Sequence, residues 1–143
     1  MKNSVKIMLL VAAMSSPIAC QLLVKAPQAH LIAEDSPAKS YGVSEPTYSR
    51  LATAALNGDC EAAYKLGRHH TFFSLNSQEA IRWYRLAAKC PHANAKGELI
   101  GILMHFEAED AEVDRLLSEL ELLDPKSAEG DREAVRSVRS LRK

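Results

Sequence analysis

The residues of this 143-residue chain that could ligate a metal are His69, His70, His92 and His105, with Cys90 nearby. Imidazole and thiolate together would suit zinc or another transition metal. That chemistry needs several such groups on one face, as in H-x-x-x-H or C-x-x-C, and neither spacing occurs. Adjacent His69 and His70 point to different sides of a helix, so the four read as helix-end or surface histidines. No metal and no cofactor is expected. There is no G-x-S-x-G, no H-E-x-x-H and no glycine loop for a phosphate, so catalysis is not expected either. Two charge clusters remain. Glu107, Glu109, Asp110, Glu112 and Asp114 are acidic, while Arg132, Arg136, Arg139 and Lys143 form a basic helix face. Their local balance predicts pairing across neighbouring helices.

The elements that carry these residues read as helices. Apolar residues make up 47% and charged residues 25%, an ordinary globular balance. Aromatics are only 6% while alanine and leucine are frequent, which favours helix over sheet. A formal net charge of +0, with no aromatics interleaved among basic residues, gives no sign of a nucleic-acid partner.

The first residues, "MKNSVKIMLLVAAMSSPIAC", place Lys2 and Lys6 before an apolar core at 7–14 and small residues up to Cys20. That is the layout of a bacterial secretory signal over 1–19, with an apolar run too short to span a bilayer. The ending "PIAC" resembles the lipobox of bacterial lipoproteins at Ile18, Ala19 and Cys20, with Pro17 where Leu, Val or Ile is usual. The resemblance implies acylation of Cys20, and Gln21 after it implies anchoring at the outer membrane facing the periplasm. Ordinary cleavage, releasing a soluble periplasmic protein, is the alternative. Residues 20–45, rich in proline and small residues, read as a flexible tether.

From residue 46 to 143 amphipathic stripes follow one another. Ala63, Leu66, Gly67 and His70 make one. Ala80, Trp83, Tyr84, Ala87 and Ala88 make the next, after Ser77 and Glu79 at a helix start. Ala95, Leu99, Ile102, Leu103 and Phe106 follow, then Val113, Leu116, Leu117 and Leu120, then Ala134, Val135, Val138 and Leu141. The breaks are "NGD", "TFFSLNS", "CPH", "AED" and "DPKSAEGD". Alternate stripes are related at an offset of about 33 residues, within the range of helix-hairpin repeats. Ala55 maps to Ala88, Ala62 to Ala95 and Leu66 to Leu99. Ala80 maps to Val113, Trp83 to Leu116, Tyr84 to Leu117 and Ala87 to Leu120.

The stretch "ALNGDCEAAYKLG", with "SQEAIRWYRLAAKCPHANAK" after it, resembles the Sel1-like repeat, a relative of the tetratricopeptide repeat. Ala63, Leu66 and Gly67 match its A-x-x-x-L-G helix. Ala80, Trp83, Tyr84, Ala87 and Ala88 match its A-x-x-W-Y-x-x-A-A helix, and Gly58 with Ala62 its turn. The loop "RHHTFFSLNS" lacks the family's Gly-x-Gly. The resemblance implies an all-α fold, a short solenoid of antiparallel helix hairpins with about six helices. It also implies an adaptor or assembly role.

In such a hairpin Cys60 opens one helix and Cys90 closes the next, so the two ends lie close. A disulfide between them is expected in an oxidising periplasm, and two buried free thiols are the alternative. The expected function is a non-catalytic protein–protein interaction module of the bacterial cell envelope, with no small-molecule substrate. A protein partner would be met on the face near Tyr64, Arg68, Arg82 and Arg85. Two further readings are an immunity protein that neutralises a secreted antibacterial toxin and a cell-envelope enzyme or modulator. A purely structural outer-membrane lipoprotein is a third.

Overall fold

The computed structural model describes residues 40–142. The expected signal segment, Cys20, the expected tether up to residue 39 and Lys143 lie outside the described residues.

Six α-helices follow in chain order: α1 (Glu45–Leu56), α2 (Cys60–Phe72), α3 (Ser77–Ala87), α4 (Ala93–Leu103), α5 (Asp110–Leu123) and α6 (Pro125–Leu141). There is no strand among the described residues, and no helix long and apolar enough to cross a membrane. Each helix packs on the next, and α1 also meets α3 as α4 meets α6.

Helix starts are set by side-chain caps. Asp59 accepts from the Ala62 N–H, Asn76 from Glu79, His92 from Ala95 and Asp124 from Ser127. Each satisfies one amide that the first helical turn leaves unpaired. The turn before α2 needs Gly58, whose φ of +97° is the left-handed region that glycine enters without a Cβ clash.

Two expected breaks are shorter than the sequence suggests. α2 continues through Thr71 and Phe72, with the Thr71 hydroxyl donating to the Gly67 carbonyl one turn earlier. The chain then turns through Leu75, a non-glycine residue at φ +52° that is 78% exposed. Within "DPKSAEGD" only Asp124 interrupts the helices. Pro125 takes a first-turn position, where its missing N–H is harmless, and Gly130 lies inside α6. The break before α5 is longer than expected and includes a 3-10 turn, Glu107–Glu109.

The core has two parts. One is alanine-rich and gathers Ala55, Ala62, Ala63, Leu66, Trp83, Ala87 and Ala95. The other is built from Leu99, Ile100, Leu103, Val113, Leu116, Leu117, Leu120 and Val135, with Tyr84, Ala80, Ala88 and Ala128. α3 faces both. The last stripe departs from expectation: Val135 is buried, but Ala134 is exposed and Leu141 is 84% exposed.

Cys60 and Cys90 sit at disulfide-bonding distance, with Cα atoms 6.3 Å apart. Cys90 lies in the turn after α3 and not on its last residue. The clasp ties the start of α2 to the end of α3, so the two helices run antiparallel.

Candidate functional site

Of the candidate metal ligands, His69, His70 and His92 take structural places, while His105 is exposed. His69 and His70 are buried, not on the surface. His69 Nδ1 lies 3.2 Å from both the Val43 N–H and the Tyr41 carbonyl, and its tautomer selects between them. His70 Nε2 is 3.0 Å from the Tyr48 hydroxyl, and its Nδ1 is 2.8 Å from the Ser74 hydroxyl. The pair therefore secures residues 41–43 and α1 against α2. His92 caps α4, stacks 4.5 Å from the Tyr64 ring and approaches Glu61 at 3.3 Å. Among the described residues no three His, Cys, Asp or Glu side chains converge as a metal ion requires.

The charge clusters pair across α5 and α6 in part, through Arg139. Arg139 reaches Asp110 at 3.2 Å and Asp114 at 2.9 Å, Arg142 reaches Asp110 at 2.8 Å, and Arg132 reaches Glu121 at 2.6 Å. The Arg142 hydrogen bond, with Arg139 beside it, holds the Asp110 carboxyl below its usual range. Lys96, which is only 4% exposed, donates to the Ala88 carbonyl and to Glu119. This pair ties α4 to α3 and α5, and no spacing rule singles it out beforehand.

The four residues expected to meet a partner separate into two pairs. Arg85 bridges Glu112 at 2.6 Å and Glu109 at 2.9 Å, and the Glu112 hydrogen bond raises its pKa further. Arg82 stands 5.2 Å from the Trp83 ring centre and 3.5 Å from Glu79. Both lie on α3. Tyr64 and Arg68 lie on α2, beside the clefts of that helix.

One cleft of about 590 Å³ runs between α2, α4 and α6. α2 contributes Tyr64, Thr71 and Phe72 to its wall. On α4, Ala93, Gly97 and Gly101 are four residues apart and so share one helix face, which is left almost bare of side chains. A Cβ at Gly97 would stand 3.3 Å from the Asp131 carboxylate of α6, while one at Gly101 would meet nothing within 4 Å. Gly97 thus makes room for Asp131, and Gly101 keeps the cleft open.

Two carboxylates line this cleft, Glu98 and Asp131. Burial raises the pKa of both. For Glu98 the Arg68 charge opposes the rise, and the Asp131 charge adds to it. Arg68 stands beside this cleft and lines a separate one, its guanidinium 4.3 Å from the Tyr41 ring centre and 5.7 Å from that of Tyr64. Its buried Nε has no hydrogen-bond partner among the described residues. The cleft offers a bare floor, an aromatic wall and negative charge, which suits binding. Sequence reasoning reached Tyr64 and Arg68 but missed Glu98 and Asp131. The four-residue spacing of Ala93, Gly97 and Gly101 was the signal available.

Comparison with protein-family models, with curated proteins and with solved structures finds nothing that matches this chain.

Proposed function

We propose that this chain is a non-catalytic protein-interaction module of the bacterial cell envelope. In this reading it is a short solenoid of antiparallel helix hairpins of the Sel1-like kind, held at the outer membrane through an acylated Cys20. The repeat assignment draws support from burial. Ala55 and Ala88, Ala62 and Ala95, Leu66 and Leu99, Ala80 and Val113, Trp83 and Leu116, Tyr84 and Leu117, and Ala87 and Leu120 are buried pair by pair. The caps Asp59 and His92 keep the same offset, as do the helix starts Ser77 and Asp110. The Cys60–Cys90 pair favours an oxidising compartment.

The observation that carries the interaction reading is the open cleft lined mainly by α2, α4 and α6, with Leu120 of α5 also in its lining. A solenoid presents alternate helices on one continuous face, which is where these folds hold proteins. A photo-crosslinking residue at Asn94, in the cleft, tests it in intact cells, with the same residue at Leu122 on the far, exposed side of α5 as control. A discrete adduct from Asn94 alone is expected. Equal adducts from both positions, or none from Asn94, would refute the reading. Palmitate labelling that survives Cys20→Ala would refute the anchor.

A further inference from the structure

Of the half-buried carboxylates among the described residues, only Glu98 and Asp131 have neither an ion-pair nor a hydrogen-bond partner. Glu109 and Glu112 hold Arg85, Asp110 holds Arg139 and Arg142, and Glu119 holds Lys96 and Arg115. Glu79 pairs with Arg82, and Asp124 holds Ser127. The two exceptions come from different helices and line the same cleft. Removing acids from water without giving them a partner is unfavourable, so their shared position requires an explanation.

We infer that the α2–α4–α6 cleft binds a basic segment of a partner protein, seating a lysine or arginine side chain between Glu98 and Asp131, beside Tyr64. This inference rests on the interaction-module reading. Three features of the cleft support it. A cation supplies the partner that both carboxylates lack. The bare backbone at Gly101 lets a peptide backbone approach α4 closely, which a larger side chain would prevent. Tyr64 and Phe72 form an aromatic wall against which the aliphatic stem and the charge of a lysine or arginine can lie.

Other occupants fit less well. An acidic segment would face two carboxylates with only Arg68 in its favour. A purely apolar segment would cover both acids and leave them unpaired. Arg68, stacked on Tyr41 beside the cleft, adds direction. Its positive charge repels an incoming cation there, so the basic side chain enters from the α6 side, where Asp131 stands.

The test is an amide-shift titration of the full-length chain with acetyl-Ala-Lys-Ala-Ala-Lys-Ala-amide and with its glutamate and norleucine analogues. The lysine peptide is expected to move the amides of Gly97, Gly101 and Asp131. Neither analogue should match it. Combined Glu98→Gln and Asp131→Asn should weaken the lysine peptide about tenfold or more, while circular dichroism stays unchanged. Gly101→Gln, placed where a Cβ meets nothing, should block the cleft and leave the fold intact. Equal binding of the norleucine peptide would overturn the inference. So would an unchanged affinity in the neutralised variant, or the absence of any shift. The Asn94 crosslink separates the two readings. An adduct whose partner site has no lysine or arginine within reach removes this inference and leaves the interaction module standing. No adduct removes both.

Discussion

The two cores of the molecule are built on opposite plans. Around α1 to α3 the interior is alanine with Leu66 and Trp83, and α2 and α3 approach until the Gly67 backbone meets the ring of Tyr84, a residue of the other core. A Cβ at Gly67 would lie 2.5 Å from the Tyr84 ring. Around α4 to α6 it is leucine, isoleucine and valine, spaced so that side chains fill the gaps. Alanine removes little apolar surface from water, so the first plan gains less from each buried residue. It relies on a few large groups and on the Cys60–Cys90 clasp. The second spreads its stability over many similar residues and lines its rim with ion pairs such as Arg139–Asp110. The first half should therefore fail at single positions, and the second should yield gradually.

The sharpest break of this contrast is Trp83→Ala. It should destabilise the protein by about 3–5 kcal/mol, more than Leu116→Ala or Leu120→Ala in the other core, as read by denaturant unfolding. A larger loss from either leucine would reverse the comparison. Next comes the clasp. Replacing Cys60 and Cys90 with serine should remove about 3–4 kcal/mol, the chain-entropy value for a loop of about 31 residues. Added reductant should then have no further effect on the variant. Equal unfolding midpoints for the two proteins would mean that the clasp contributes nothing.

Two glycines sharpen the contrast at smaller scale. Gly67→Ala forces a methyl into the Tyr84 ring and should destabilise by about 1–3 kcal/mol. Gly101→Ala meets nothing and should stabilise α4 by roughly 0.8–1 kcal/mol through helix propensity alone. Thermal unfolding of the pair gives the sign directly, and two changes of the same sign would refute the difference in packing.

Sequence and structure agree most closely where periodicity is unbroken. The stripes on α2, α3 and α5 are buried residue for residue, because a helix with one apolar face has a single way to bury it. Agreement is poorer where one local signal outweighs another. Proline, serine and glycine after Asp124 read as a loop, yet proline at a first-turn position with an aspartate cap before it starts a helix. His69 and His70 do lie in the last turn of α2, but the partners that bury them are not legible, because polarity alone says nothing of groups twenty to thirty residues away. Lys96 was hidden for the same reason: its burial depends on Glu119 and on the Ala88 carbonyl, which only the packing of α4 brings near. Glu98 and Asp131 belong to different stripes, and nothing in either stripe says that they face one cleft.

The smallest expected effect is on pH dependence, and it too belongs to the first half. His70 is 8% exposed and lies between the Tyr48 and Ser74 hydroxyls, with His69 adjacent and Glu79 nearby. Burial lowers its pKa below the ordinary 6.5, the His69 charge lowers it further, and Glu79 opposes them. The folded state thus prefers the neutral ring, and the unfolded chain takes up the proton first as pH falls. The stability that His70 contributes is complete above about pH 6.5 and declines as the pH drops through that value towards the lowered folded one. The melting temperature should fall between pH 7 and pH 5. His70→Gln keeps an amide to meet Tyr48 and Ser74 but does not titrate, so its decline over that interval should be shallower. Because the imidazole joins α1 to α2, the loss should appear first as faster amide exchange in α1, with α5 unchanged. Parallel melting curves for the two proteins, or equal exchange in α1 and α5, would show that the histidine pair does not link the first helix to the rest.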